Sequence, residues 1–221
     1  MIVIAALGIV IGFGIGTTVP NSPVARTLTV TSSASTNGSS GTSNSSSTFD
    51  LTLLVSTNNS FNSTVGDQPA YYVLGPHGPE SAANIALPSH QLIKLVIICY
   101  DDGAANLSAS QYAEVSGTQN NTITVVNNDN VNSSQLASGI QVSGGESVSS
   151  LPADGIAHTF TIPQLGINIP LAPSSTVVAY FTINQTGTFS WLCNTLCGYG
   201  VDGLSGAMDT PGWMTGNVAV T

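Results

Sequence analysis

From its N-terminus the chain opens on an unbroken apolar run, IVIAALGIVIGFGIGTTV at residues 2–19, with no charge in it. About 20 such residues cross a bilayer as a helix, so residues 1–20 are expected to form one transmembrane anchor. A cleaved signal peptide is the rival reading, and the lack of a basic stretch ahead of the run speaks against it. Residues 21–48 lose all hydrophobic period and turn to Ser, Thr, Asn and Gly, as in TSSASTNGSSGTSNSSST. That composition makes a flexible spacer.

From Phe49 the spacing of apolar positions becomes that of β-structure. FDLTLLVS, AYYVLG and LIKLVIICY come first, and the last is long and apolar enough for a central strand. Turn-rich segments such as GPHGPE separate them. Residues 102–153 are polar, with two weak strands, TITVV and GIQV, and read as a long insertion. The pattern then sharpens through AHTFTI, GINIPL, STVVAYFTI, GTFSWLC and GNVAVT, with Pro or Gly at the boundaries. No stretch after the first 20 residues has helical periodicity. Residues 49–221 are therefore expected to be one all-β domain, and seven or eight strands at this spacing fit a β-sandwich.

Composition narrows the function. Arg26 and Lys94 are the whole basic complement of a 221-residue chain of net charge -9. Nucleic acid is excluded as a partner, because phosphate neutralisation needs clustered Lys and Arg. Charged residues make up only 6 % of the chain. A surface solvated by hydroxyls and amides suits an acidic exterior, where a Lys-rich one would become strongly self-repelling. Sequons for N-glycosylation begin at Asn37, Asn44, Asn58, Asn62, Asn106, Asn120, Asn132 and Asn184. They favour an extracytoplasmic, glycosylated chain held at the cell membrane. With three histidines, and no nucleophile, zinc-protease, phosphate-loop or dinucleotide motif, a free-standing enzyme is not expected.

The remaining chemistry sits in WLCNTLCGYGVDGLSGAMDTPGWM, residues 191–214, and in DGIAHTFTIPQLGINI upstream. Thiolate, imidazole and thioether are the donors copper prefers. Cys193 and Cys197 are a natural pair, as ligands or as a disulfide, whereas Cys99 in its apolar run reads as a small buried hydrophobe. These segments resemble the cupredoxin domain of subunit II of haem-copper terminal oxidases. The resemblance covers residues 154–221 well and 68–101 loosely, and leaves 102–153 unexplained. It implies a Greek-key β-sandwich on one N-terminal transmembrane helix, facing outward. It also implies copper held by His158, Cys193 and Cys197, with the Thr195 carbonyl and the thioether of Met214 as weak ligands and Met208 competing with Met214.

The chain departs from that family at one point. Where the family has its second His, four residues after the second Cys, this chain has Val201, and no His follows His158. Three readings stay open. The domain is similar to subunit II of quinol-type oxidases, with copper lost and a Cys193–Cys197 disulfide. Or it is similar to sulfocyanin-type blue proteins, with one copper and a second nitrogen from His77 or His90. Or it is a copper-free surface or filament protein. The first two imply electron transfer; in the first the partner is a haem-bearing catalytic subunit, with quinol or a redox protein as donor and no haem on this chain. Trp191 and Trp213 are expected to pack at the end of the sandwich, and Asp202 and Asp209 to face solvent.

Overall fold

The computed structural model describes residues 48–57, 68–128, 131–132, 141–198 and 206–221. The expected anchor, the spacer as far as residue 47, and the sequons at Asn37, Asn44, Asn58 and Asn62 lie outside the described residues. Among the described residues no helix is long and apolar enough to cross a membrane. The regular structure described is almost entirely strand, with single 3₁₀ turns at 110–113, 119–121, 153–155 and 163–165.

A seven-stranded sheet runs in the order β3 (Gly78–Ser81), β2 (Ala70–Gly75), β1 (Phe49–Ser56), β5 (Leu92–Cys99), β12 (Ser175–Thr182), β6 (Ile123–Asn127) and β9 (Glu146–Val148). Facing it, a five-stranded sheet runs β11 (Ile167–Leu171), β10 (His158–Ile162), β13 (Gly187–Leu192), β14 (Thr215–Val220) and β4 (Asn84–Leu87). A small hairpin pairs β7 (Val131–Asn132) with β8 (Gln141–Val142). Most pairings are antiparallel. β1 with β5 and β4 with β14 are parallel, because the chain crosses to the other sheet between the partners.

β5 lies at the centre because its sequence is apolar on both faces. Ile93, Leu95, Ile97 and Cys99 turn into the core between the sheets, and Val96 and Ile98 join Leu54, Ala70, Tyr72 and Val178 on the outer side. A strand buried on both faces must sit inside a sheet covered on both sides. β12 beside it is likewise buried on both faces from Ser175 to Ala179 and alternates only at its end, where Tyr180 and Thr182 are exposed and Phe181 is buried. The inter-sheet core is locked by aromatics. Trp191 stacks on Phe160 with centroids 5.5 Å apart and meets Tyr71 of the opposite sheet edge-on at 5.1 Å. Its indole N–H donates to the Ala82 carbonyl at 2.9 Å. Trp191 is thus a core residue between the sheets and not an end-packing one. Trp213 is half-buried and packs against both apolar clusters.

The stretch 102–153 is built into the sandwich at three places, one of them a bridge from Ser116 to Asn168 on β11. β6 and β9 extend the larger sheet beyond β12. Nearer the start, Leu107 bridges to Thr195, with the Ser108 N–H on the Asn194 carbonyl and the Leu196 N–H on the Asn106 carbonyl, both at 2.8 Å. This segment is therefore strapped across the turn that carries the two cysteines.

Candidate metal centre

One pole of the sandwich gathers the C-terminal ends of β1, β5 and β13 with the first residues of β10 and β12. His158 opens β10 and points into this pole, and Cys193 follows directly on β13. The Cys193 N–H bonds to the Met214 carbonyl at 2.8 Å just before β14 starts, so the ladder fixes where the cysteine turn begins. Gly198, with φ at 87°, ends that turn in a backbone conformation that side chains resist.

The result is a compact donor set. His158 Nδ1, Cys193 Sγ and Cys197 Sγ lie within 4.8 Å of one another, and all three residues are buried. Nδ1 is 3.1 Å from Cys197 Sγ and 3.9 Å from Cys193 Sγ, and the sulfurs are 3.7 Å apart. Both thiols are free; a disulfide would need about 2.0 Å. The other ring nitrogen, Nε2, donates to the Asp101 carboxylate at 2.5 Å. The sulfurs are themselves solvated by protein: the Thr159 N–H donates to Cys193 Sγ at 3.3 Å, and the Thr195 hydroxyl lies 3.0 Å and 2.8 Å from the two sulfurs.

These contacts set the proton inventory. Burial works against ionising Cys193, yet hydrogen bonds from Cys197 and His158, the imidazolium charge and the Thr195 hydroxyl hold its thiol well below the ordinary range. Cys197 is pushed up, because it gives its S–H to Cys193, because it is buried and because the neighbouring thiolate repels a second charge. Burial would lower His158, but the Asp101 hydrogen bond and the thiolate at Cys193 outweigh it and raise the imidazole to about 9. Burial likewise opposes the charge on Asp101, and the His158 bond and charge still pull its carboxyl down. At neutral pH the pole therefore holds a carboxylate, an imidazolium, one thiol and one thiolate, in a chain Oδ2···H–Nε2, Nδ1–H···Sγ–H···Sγ.

The donor spacing fits a single ion. Bonds of about 2.3 Å to sulfur and 2.0 Å to nitrogen at a tetrahedral angle space two sulfurs about 3.8 Å and sulfur from nitrogen about 3.5 Å apart. The sulfur pair at 3.7 Å and the two N···S separations of 3.1 and 3.9 Å bracket those edges. The set does not fit a two-copper centre, which needs an imidazole on each metal; among the described residues this cluster holds one.

The other named residues fall as follows. His77 is exposed in the β2–β3 turn, and His90, also exposed, precedes β5. Asp101 lies just past the other end of that eight-residue strand, so His90 is about 25 Å from the site at 3.3 Å per residue. A second nitrogen ligand from either is excluded. Met214 is fully buried in the core cluster that contains both cysteines, whereas Met208 is only half-buried against it. Cys99 is buried, and desolvation raises its thiol to about 12, as befits a packing residue. Asn106, Asn120, Asn184 and Asp209 are exposed; Val201 and Asp202 lie outside the described residues. Sequence reading missed Asp101. Its only mark there is a place in the Asp pair that follows the central strand. A cleft of about 320 Å³ opens onto Asp101, His158 and Cys197, bordered by Ala104, Ala105 and the 46 % exposed Leu196.

No family model and no curated protein matches the chain. Among solved structures it is similar to the periplasmic domain of subunit II of cytochrome oxidase (CoxB) from Bradyrhizobium japonicum. The identity is 13 %, covering 79 % of this chain and 83 % of that one, with a TM-score of 0.32. It is also similar to reduced rusticyanin, at 11 % identity over 79 % of each chain with a TM-score of 0.30. Auracyanin B matches at 14 % identity over 63 % of this chain and 77 % of that one, with a TM-score of 0.26. At such identities and scores, function has to be read from the donor set itself.

Proposed function

We propose that this chain is a cupredoxin-like electron-transfer domain that holds one copper ion through His158 Nδ1, Cys193 Sγ and Cys197 Sγ. The observation that carries the reading is the convergence of one imidazole and two thiols, buried and spaced as the edges of a single coordination sphere. Two soft sulfurs and an imidazole select copper over hard cations, and the ion would supply one-electron redox chemistry. The chain's own residues do the rest. Asp101 accepts the hydrogen bond from His158 Nε2–H, and the Thr159 N–H steadies the Cys193 sulfur. The cross-sheet aromatic core keeps the pole stiff. Leu196, exposed beside Cys197, gives a partner an apolar approach to the site.

The setting we propose is the outer face of a membrane, with residues 1–20 as anchor and the Ser/Thr/Asn-rich spacer between anchor and domain. The partner is then a haem-bearing oxidase, served as a subunit II would serve it, with this centre remodelled to a single ion. A copper-free structural version of that subunit is the second reading. It is favoured by the fact that His158, Cys193 and Cys197 already satisfy one another and Asp101 by hydrogen bonds.

The test is metal analysis and optical spectroscopy on the full chain purified from membranes. About one copper per chain, with a thiolate-to-copper absorption band that vanishes in Cys193→Ser, supports the carrier. Colourless, copper-free protein that takes up no copper when reduced leaves the structural reading. Co-purification with a multi-helix haem protein supports the oxidase partner, and isolation as a lone blue or red protein removes it.

A further inference from the structure

We propose that Asp101 is the positioning residue of this centre: its carboxylate fixes the ring of His158 from the opposite sheet and sets both the affinity and the potential of the bound copper. The inference rests on the copper reading above. Asp101 follows β5 and is fastened from the two neighbouring strands of the larger sheet, β1 and β12. Its carbonyl accepts the Ser174 N–H at 2.8 Å, the preceding Tyr100 N–H bonds Val55 at 2.9 Å, and Oδ1 accepts the Thr57 N–H at 2.7 Å. The free Oδ2 then meets His158 Nε2 at 2.5 Å. His158 belongs to the other sheet, so this bond ties the ligand to a strand that contributes no ligand of its own.

Geometry gives the bond two consequences. A neutral imidazole carries a single N–H. Spending it on Asp101 leaves the lone pair at Nδ1, the nitrogen that faces both sulfurs. A backbone carbonyl could orient the ring as well, but only a carboxylate adds a full negative charge behind it. That charge favours the more oxidised ion, so it lowers the reduction potential as well as tightening binding. Asp102 is the built-in control: it lines the same cleft but is exposed, while the ring nitrogens of His158 meet Asp101 and the sulfurs.

The experiment loads copper into the full chain and into Asp101→Asn, Asp101→Ala and Asp102→Asn. Copper affinity is read by chelator competition, potential by redox titration, and ligand geometry by EPR. Loss of the carboxylate should weaken copper by about 10–100-fold, the range for removing such an outer partner. A tenfold greater loss for the oxidised than for the reduced ion appears as a rise of about 59 mV for a one-electron couple. Asp102→Asn should stay at the parent values. Asn at 101 turns an amide N–H toward either Thr57 or His158, so Ala serves as the second variant if Asn folds poorly. Loaded Asp101 variants that melt lower yet keep the parent potential and EPR spectrum would reduce Asp101 to a structural strut and overturn the proposal. A parent chain that binds no copper through sulfur would sink the copper reading, and the Asp101 assignment with it. Loading of the parent alongside unaltered variants would sink only the latter.

Discussion

Asn168→Ala is the perturbation that best probes how the stretch 102–153 is coupled to the cysteine turn. Asn168 sits on β11, buried to 6 % exposure, and makes three hydrogen bonds. It accepts the Thr161 hydroxyl at 2.7 Å and donates to the carbonyls of Tyr112 and Glu114 at 3.1 and 2.6 Å. Thr161 in turn accepts from the Asn194 amide at 2.8 Å, and the Asn194 N–H bonds the Thr159 hydroxyl at 2.8 Å. A line of buried polar groups thus runs from the insertion, through two strands, to the residue after Cys193. Truncation at 168 removes three bonds worth about 1 kcal/mol each and strands two carbonyls, so the loss should be about 3 kcal/mol. Urea unfolding of the metal-free chain, compared at equal m-value, measures it. Thr161→Val removes the shared hydroxyl, so the double variant should lose less than the sum by about 0.5–3 kcal/mol. Copper should leave Asn168→Ala faster while its absorption spectrum stays put. A loss below about 1 kcal/mol, or strict additivity with Thr161→Val, would refute a connected network.

Copper loading should release close to two protons at pH 7. With His158 raised to about 9, the ring is about 99 % protonated two pH units lower, and Cys197 still holds its thiol proton; binding expels the Nδ1 and Cys197 protons. Apparent affinity then climbs about 100-fold per pH unit from neutrality until pH nears 9, and about tenfold per unit above it, where Cys197 still has its proton to lose, measurable by titration in buffers of different ionisation enthalpy. One proton or none at pH 7 contradicts the inventory. Gly198→Ala should cost about 3 kcal/mol, because a side chain there resists the positive φ and its Cβ would sit 2.9 Å from that of Ala207. A thermal melt within a degree of the parent speaks against this. Cys197→Ser should weaken copper binding more than a hundredfold and leave the metal-free fold close to the parent in stability. Equal copper affinity in a competition assay would remove Cys197 from the ligand set.

Much of this molecule was legible in one sequence, for reasons that differ by element. LIKLVIIC announced a strand buried on both faces, and it lies at the centre of the larger sheet. FDLTLLVS and AYYVLG match β1 and β2 residue for residue. β3 and β4 were not legible. GPES and NIAL are four-residue edge strands, and Pro79 reads as a turn although an edge position tolerates it. The union of His158 with Cys193 and Cys197 was implied by the resemblance of two segments to oxidase subunit II, and the sandwich does bring them within reach of one ion. Asp101 was invisible because its meaning lies in a contact across 57 positions of sequence, made only when the two sheets face each other. His77 and His90 failed as ligands for the same topological reason: composition counts imidazoles, while strand direction decides at which pole they end.

Copper-edge X-ray absorption on the copper-loaded full chain tests the single-ion centre most directly. Two sulfur scatterers and one imidazole nitrogen around one copper per chain, with no metal–metal vector, is the expected result. Nitrogen and oxygen scatterers alone, or a short copper–copper distance, would contradict it.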